Sequence, residues 1–203
     1  MSEQESVLII GCGIFGITAA LELHRRGYFV TVVDPGPLPT PHASSTDISK
    51  AVRNDYGDDE IYVSMMDAAF EGWSEWNARW GIELFHRTGM LFMTRDEMRP
   101  GGFEYESYQF LPERGKTLER ICSEDLEKKF PKWNHAKYVD GYLNPLGGWT
   151  KSGAVVARLI QEARDEGIEI REGFMTNSIE LGDLVRFGNG FARTPQGDAL
   201  GIG

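Results

Sequence analysis

Residues 7–34 run through a strand pattern, a glycine-rich turn, a helix pattern and a second strand pattern. Val7-Leu8-Ile9-Ile10 is a short, continuous apolar run with β-branched residues, which is typical of a strand buried on both faces of a parallel sheet. GCGIFG follows at once, and ITAALELHRRG then has apolar residues at helical spacing, basic residues in its last turn and Gly27 as a C′ residue. YFVTVVD indicates a second apolar strand that ends in Asp34. This succession predicts a β-α-β unit of an α/β fold with a parallel sheet.

The turn between the first strand and the helix has the spacing Gly-x-Gly-x-x-Gly. Gly11 permits the tight turn out of the strand, Gly13 removes the Cβ that would block a pyrophosphate, and Gly16 lets the helix lie close to the sheet. The helix directs its free N–H groups and the positive end of its dipole toward the phosphates. The backbone amides of Ile14 and Phe15 are therefore the predicted donors.

Asp34, at the end of the second strand, completes the pattern of a Rossmann-type dinucleotide site. Its carboxylate can accept hydrogen bonds from the hydroxyls of the adenosine ribose, and it would repel a 2′-phosphate. NADP is therefore disfavoured. The pattern does not separate NAD from FAD, because both carry the same ADP half.

Charge and cysteine content narrow the class of partner. The 203 residues carry a net charge of −10 with no dense run of Lys or Arg, which argues against binding to nucleic acid or to an anionic membrane. No segment has the apolar length of a membrane span, and the N-terminus MSEQES is acidic, unlike a secretory signal. Cys12 and Cys122 lack metal-ligand spacing and fit a reducing compartment. We expect an intracellular protein with a small-molecule or protein partner.

A proline-rich segment and a polar segment follow the second strand. The prolines of PGPLPTPHA favour a stiff, extended loop, and SSTDIS offers several N-cap residues, of which Thr46 and Asp47 are best placed. The sequence predicts a helix that begins there and places Lys50 and Arg53, three residues apart, on one face. From the residues alone this face is either part of a site or the solvated side of a surface helix.

The remainder of the chain alternates less regularly. Residues 58–80 are predicted to form a long amphipathic helix with an apolar stripe of Ile61, Met65, Ala69, Trp73 and Trp76. Residues 85–147 lack the β-α alternation of the first forty residues. SGAVVARLIQEARDEG predicts a helix capped by Ser152 and ended by Gly167, and IEIRE predicts a third parallel strand. The four histidines form no pair at metal-ligand or catalytic spacing, so no metal site and no catalytic residue is assigned.

The segments VLIIGCGIFGITAALELHRRGYFVTVVD and SSTDISKAVRNDYG, with the proline-rich loop between them, resemble one family of flavoenzymes. The family is that of the D-amino-acid-oxidase-type FAD-dependent oxidoreductases, in particular its branch of monomeric sarcosine oxidase and fructosyl-amino-acid oxidase (amadoriase). RTGMLFMT and GYLNPLGGWT continue the resemblance, which spans most of the chain from Val7 to about Gly167. The resemblance implies FAD as cofactor and a β-meander over residues 178–203.

Three further residues acquire expected roles from this resemblance. Thr46 and Lys50 match positions that contact the flavin half of FAD, with the Lys50 cation near the isoalloxazine ring. Arg53 matches an arginine that holds a substrate carboxylate, for which a guanidinium is well suited. A cation near the pyrimidine end of the flavin would favour its reduced, anionic form.

The resemblance also implies a domain plan and an activity. Residues 1–84 and 148–203 would form the FAD-binding domain, incomplete at its C-terminus, and residues 85–147 would form part of a substrate domain with a mixed β-sheet. The expected reaction is the oxidation of a secondary amine, a fructosyl or N-alkyl amino acid, by oxygen, in a monomeric, cytoplasmic or peroxisomal enzyme. The alternatives are a catalytically inactive N-terminal fragment that binds at most a nucleotide or a partner, and an NAD-linked dehydrogenase.

Overall fold

The structure, a computed structural model, describes residues 5–173 and the backbone of residues 191–193 and 199–201. The chain forms two compact units, the first made of residues 1–48 and 152–203 and the second of residues 49–151. Residues 49–84, which the predicted domain plan assigns to the cofactor domain, thus group with the second unit. Whether these units are the functional domains of the predicted plan stays a prediction.

The first unit has a three-stranded parallel sheet. Its strand order is β1 (Ser6–Ile10), β2 (Phe29–Asp34), β9 (Glu169–Glu172). Ser6 of β1 is in register with Phe29 of β2, and Thr31 of β2 is in register with Glu169 of β9. The β-α-β unit and the third parallel strand are therefore confirmed. The elements of this unit are β1 (Ser6–Ile10), α1 (Ile14–Arg25), β2 (Phe29–Asp34), α5 (Ser152–Asp165) and β9 (Glu169–Glu172).

The core of the first unit consists of the buried faces of α1, β2 and α5, with Ile17, Val32 and Leu159 fully buried. Arg25 of α1 joins the helices at their exposed side through ion pairs with Glu162 at 2.6 Å and Glu166 at 2.5 Å. In the segment predicted to be a β-meander, the backbone of β10 (Phe191–Arg193) and β11 (Ala199–Gly201) pairs antiparallel. The rest of that prediction lies outside the described residues.

The second unit has two small antiparallel sheets. The first has the strand order β3 (Lys50–Val52), β8 (Gly148–Thr150), β4 (Phe85–His86). The second has the strand order β5 (Met90–Thr94), β7 (Asp140–Asn144), β6 (Glu119–Arg120). It contains a 21-residue helix, α2, whose N-cap Asp59 accepts hydrogen bonds from the amides of Ile61 and Tyr62. The elements are β3 (Lys50–Val52), α2 (Glu60–Trp80), β4 (Phe85–His86), β5 (Met90–Thr94), α3 (Phe103–Glu113), β6 (Glu119–Arg120), α4 (Ser123–Lys129), β7 (Asp140–Asn144) and β8 (Gly148–Thr150).

The helix α2 is confirmed, but its apolar stripe is only partly buried. Val63, Phe70 and Trp80 are its buried residues, whereas Ile61 and Met65, which the predicted stripe includes, are 73% and 62% exposed. Val63 and Phe70 lie seven residues apart and therefore on one face of the helix. The buried face of α2 is thus rotated about the helix axis from the face of the predicted stripe.

The predicted helix over SSTDISKAVR is wrong. Residues 41–48 form turns and bends, and Lys50–Val52 is strand β3, paired antiparallel with β8. The carbonyl of Asp47 accepts hydrogen bonds from the Ser152 hydroxyl at 2.7 Å and from the Gly153 amide at 3.0 Å, so it is not available to an intrahelical donor. The Ser152 hydroxyl thus bonds to Asp47 instead of capping its own helix as predicted. Lys50 and Arg53 consequently share no helical face.

Candidate functional site

The glycine-rich turn is built by close backbone approach. Gly11 has a φ of +96° and its amide donates to the Val33 carbonyl at 2.8 Å, which ties the turn to β2. A Cβ on Gly16 would lie 1.9 Å from the Gly11 carbonyl oxygen, so only glycine permits α1 to pack this tightly against the turn. The helix begins at Ile14 with Gly13 as an N-cap that has no side-chain hydrogen bond. Free helix N–H groups in such a turn fit the pyrophosphate of a dinucleotide.

Asp34 has a structural task that the sequence pattern does not reveal. Its Oδ2 accepts from the Cys12 amide at 2.8 Å, and its Oδ1 accepts from the Gly36 amide at 2.8 Å and the Thr40 hydroxyl at 2.9 Å. A carboxylate offers about four acceptor positions, so three protein donors leave one for a ribose hydroxyl. The carboxylate, 6% exposed, therefore ties the glycine turn to the proline-rich loop and retains the capacity predicted for it.

The Cys12 thiol between these groups is inert at neutral pH. Burial and then the neighbouring Asp34 carboxylate raise the pKa of Cys12 to about 12. Because the thiolate is the reactive form of cysteine, this residue stays protonated. It is a small buried side chain.

Ser45 is a residue of this site that sequence reasoning missed. The Ile14 amide donates to its Oγ at 3.2 Å, and a Cβ on Gly13 would lie 3.3 Å from the same oxygen. The hydroxyl thus lies at the N-terminus of α1, where the motif predicts a phosphate, and in this structure it accepts from the Ile14 amide that is predicted to donate to that phosphate. Nothing local in SSTDIS distinguishes Ser45 from Ser44, and the contact joins residues 31 positions apart, so only the folded loop identifies it.

The other predicted cofactor residues of the loop have defined surroundings. The Thr46 hydroxyl hydrogen-bonds the carbonyls of Thr40 and Ala43, which closes the loop over residues 40–46. The side chain of Phe15 is 88% exposed at the start of α1. Lys50 is exposed at the first position of β3. The contacts of Thr46 and Lys50 with the flavin half of FAD stay predictions.

Arg53 of the second unit lies just beyond β3 among aromatic rings. Its guanidinium carbon is 4.8 Å from the ring centre of Tyr56, 5.3 Å from that of Phe103 and 6.0 Å from that of Phe92. The Nη1 atom of Arg53 is buried and has no hydrogen-bond partner among the described residues. A buried donor without a partner is costly, and an anionic ligand would satisfy it.

A buried carboxylate lies close to this guanidinium. Asp55 is fully buried and accepts hydrogen bonds from the Tyr142 hydroxyl at 2.9 Å and the Asn144 side-chain amide at 3.0 Å. Burial raises the pKa of Asp55, although both hydrogen bonds and the charge of Arg53 act in the opposite direction. Sequence reasoning missed Asp55, Tyr142 and Asn144, because RNDYG shows no local signal of their pairing across nearly 90 residues.

Metal-ligand clusters and membrane-spanning helices are the marks of two other classes of protein. Residues 5–173 contain no group of three or more His, Cys, Asp or Glu side chains that could hold a metal ion. Within the same range, no helix combines the length and the apolar character needed to cross a membrane.

The parallel sheet with its glycine turn and terminal acid defines an α/β dinucleotide-binding protein. The sequence model of the DAO family, described as FAD dependent oxidoreductase, matches residues 6–198. The chain belongs to this family, whose cofactor is FAD.

Curated relatives and solved structures agree with the family. The chain is 26% identical over 176 residues to L-saccharopine oxidase of Schizosaccharomyces pombe, and this alignment covers 82% of this chain and 40% of that protein. It is 27% identical over 180 residues to peroxisomal sarcosine oxidase of Homo sapiens, covering 88% and 45% of the two chains. Amadoriase I from Aspergillus fumigatus shares the fold with a TM-score of 0.73 at 24% identity, over 99% of this chain and 47% of that one.

L-proline dehydrogenase from P. horikoshii shares the fold as well, with a TM-score of 0.73 at 23% identity. That match covers 90% of this chain and 48% of the dehydrogenase. The chain thus spans less than half the length of each of these four relatives.

Proposed function

We propose that the protein takes part in the FAD-dependent oxidation of the C–N bond of a secondary amine, a fructosyl amino acid or a sarcosine-like N-alkyl amino acid. When bound, FAD supplies the chemistry by accepting a hydride equivalent from the C–H bond beside the nitrogen, and oxygen then reoxidises it with release of hydrogen peroxide. The amine becomes an imine that water hydrolyses. The names of the relatives, which include sarcosine and fructosyl peptide oxidases, support this class of substrate.

The chain's own residues would hold both halves of FAD. The amides and small residues of the glycine turn would bind the pyrophosphate, Asp34 the ribose, and Thr46 with Lys50 the flavin half. The pyrophosphate residues are Gly11, Gly13, Ile14, Phe15 and Gly16. The fit rests on the Cβ-free cradle of the turn and on the remaining acceptor position of Asp34.

The observation that carries the substrate class is the buried Nη1 of Arg53, which has no hydrogen-bond partner within the part of the chain that the structure describes. A carboxylate suits this donor, since a guanidinium binds a planar carboxylate through two parallel N–H groups. The three aromatic rings around it offer no hydrogen-bond acceptor oxygen in place of a ligand except for the Tyr56 hydroxyl. We propose Arg53 as the ligand of the substrate carboxylate.

The test begins with FAD uptake by the purified chain, followed by absorption spectroscopy, and with peroxide formation from sarcosine and fructosyl-valine. Arg53→Met should leave FAD uptake unchanged and raise KM by about 100-fold, because truncation at a buried charge pair costs about 2–5 kcal/mol. Arg87→Met is the matched control, because Arg87 also lies over an aromatic ring, that of Phe70 at 5.7 Å. A chain without FAD uptake and without peroxide would favour the inactive N-terminal fragment, and peroxide with an unchanged KM in Arg53→Met would remove Arg53 from the site.

We further propose a monomeric protein with a small-molecule amine as its partner and with a cytoplasmic or peroxisomal location. Two curated relatives carry the name peroxisomal sarcosine oxidase, which supports the second location. Localisation of a tagged chain by microscopy and size-exclusion chromatography would test these two proposals.

A further inference from the structure

The segment of residues 53–57, with the sequence RNDYG, contains polar side chains that are completely buried. Asn54 and Asp55 are both 0% exposed. Burial of a carboxylate is costly unless donors compensate it. A segment with this composition therefore needs specific partners, and the second unit supplies them from β7 and α3.

The partners anchor the segment at three successive points. Asn144 of β7 donates from its side-chain amide to Asn54 Oδ1 at 2.8 Å and to Asp55 Oδ2 at 3.0 Å. Tyr142 of the same strand donates to Asp55 Oδ1 at 2.9 Å, and burial followed by the nearby Asp55 raises the pKa of its hydroxyl, which therefore stays a donor.

The third anchor is at Gly57, whose amide donates to the Ser107 hydroxyl of α3 at 2.8 Å. Gly57 has a φ of +65°, a left-handed conformation that glycine adopts without strain. The segment is thus held on either side of Asp55 by two different elements, through the side chain of Asn54 and through the backbone of Gly57.

The Asp55 oxygens are directed to Tyr142 and Asn144 and not to the neighbouring Arg53. Arg53 acts on Asp55 through its charge and makes no hydrogen bond to it. The guanidinium therefore has a buried counter-charge nearby, while its Nη1 donor keeps no protein partner among the described residues. A direct ion pair would have consumed the donors that a ligand needs.

We infer that Asp55 is a positioning residue, which anchors the segment that presents Arg53 and compensates its charge without occupying its donors. The identity of the ligand, a carboxylate, rests on the proposed function. The anchoring itself does not, since it depends only on contacts of Asp55 with Tyr142 and Asn144.

Tyr142→Phe in the full chain is the decisive variant, because it removes one anchor and leaves the charge of Asp55 in place. Two readouts are needed: the Nε–H resonance of Arg53 in protein labelled with ¹⁵N-arginine, and the dissociation constants of acetate and chloride. We expect the Arg53 resonance to shift and broaden, and the preference for acetate over chloride to fall by about three- to tenfold, since a displaced guanidinium loses bidentate geometry. Tyr108→Phe is the matched control, since the Tyr108 ring is 5.6 Å from that of Tyr142.

Asp55→Asn separates positioning from charge. If Asp55 acted only as a counter-charge, its neutralisation would strengthen acetate and chloride binding by the same factor and leave their ratio unchanged. Positioning predicts that the ratio falls as in Tyr142→Phe. An Arg53 resonance and an acetate-to-chloride ratio that both stay at wild-type values in Tyr142→Phe would overturn the inference, and this variant decides if Asp55→Asn does not fold.

The proposed function fails separately. If acetate binds the wild-type chain and Arg53→Met equally, Arg53 is not a carboxylate ligand. The response of the Arg53 resonance to Tyr142→Phe still decides whether Asp55 positions it.

Discussion

The glycine turn of the first unit and the RNDYG segment of the second unit are built in opposite ways. In the turn, backbone amides and the absence of Cβ atoms create the space, as the 1.9 Å approach at Gly16 illustrates. In the RNDYG segment, side chains from β7 and α3 hold the Asn54 and Asp55 side chains and the Gly57 amide, with hydrogen bonds of 2.8–3.0 Å. The glycine turn thus depends on the absence of Cβ atoms, and the RNDYG segment depends on hydrogen bonds from side chains.

This difference determines which substitutions each region tolerates. A backbone-built site fails when any atom is added at its closest approach, whatever the polarity of that atom. A site built by side chains fails when a partner is removed, because a buried polar group then loses its hydrogen bond. We therefore expect the greatest loss from an atom added at Gly16, a smaller loss from a partner removed at Asp140, and no loss of the fold from labelling of the thiols.

Gly16→Ala should have the largest effect. The added methyl group would meet the Gly11 carbonyl oxygen, and relief of the clash must move α1 away from the turn. Overpacking of this kind costs about 1–3 kcal/mol, and the displaced amides should weaken FAD uptake by about 100-fold. The measurement is a spectroscopic FAD titration combined with thermal unfolding.

Gly72→Ala in α2 is the control for that change, because a Cβ there meets nothing within 4 Å. Alanine in a helix interior should stabilise the chain by about 0.5–1 kcal/mol relative to glycine. Wild-type FAD affinity in Gly16→Ala would show that the turn does not depend on close backbone approach.

Asp140→Asn tests dependence on side-chain partners in the second unit. Burial raises the pKa of Asp140, but hydrogen bonds from the Met98 amide at 2.8 Å and the Arg120 Nε at 2.7 Å more than offset it, so the pKa is lowered overall. A lowered carboxyl pKa contributes stability above the unfolded value of about 3.9 and loses it as the pH falls through the folded value. We expect Asp140→Asn to reduce the free energy of unfolding by about 2 kcal/mol at pH 7.

The pH dependence is the discriminating part of this experiment. The difference between Asp140→Asn and wild type should shrink as the pH falls below about 4, because protonation of the Asp140 carboxyl then removes the charge that the variant lacks at every pH. Asp58→Asn, at an exposed position, should change stability by less than about 0.5 kcal/mol at either pH. A difference that is independent of pH would mean that the charge of Asp140 contributes nothing.

The smallest effect concerns the thiols, whose labelling should leave the fold intact. Iodoacetamide at pH 8 should modify the exposed Cys122 and spare Cys12, whose pKa of about 12 leaves it protonated beside Asp34. Mass spectrometry should find one label per native chain, none in Cys122→Ser and two per wild-type chain in denaturant. Two labels on the native chain would contradict the tight packing of the glycine turn.

The contrast between the two regions also explains what sequence reasoning achieved. The β-α-β unit and the packing role of Gly16 could be predicted, because strand, turn and helix follow one another within about 30 residues. The third parallel strand could be predicted because IEIRE directly follows a helix pattern that ends at Gly167. The tie between Asp34 and the Cys12 amide, and the position of the Ser45 hydroxyl, could not. They join residues 22 and 31 positions apart through loop conformations that no local pattern specifies.

The wrong prediction over SSTDISKAVR has the same origin. Capping residues favour a helix start, but that preference is worth only about 0.5–2 kcal/mol. It was overridden by Ser152, which binds the Asp47 carbonyl from 105 residues away, and by the pairing of β3 with β8. Tertiary partners thus decided the conformation of a segment whose local signals indicated otherwise.

The amino-acid sequence by itself determined the parallel β-α-β unit, the glycine turn with its terminal acid, and the family to which the chain belongs. These features depend on backbone conformations and burial patterns that each short stretch specifies locally. Only the tertiary structure decided that residues 50–52 form a strand, that Asp34 ties two loops together, and that Asp55 lies buried beside Arg53. Those outcomes depend on hydrogen-bond partners from distant parts of the chain, and folding alone brings such partners within 3 Å of one another.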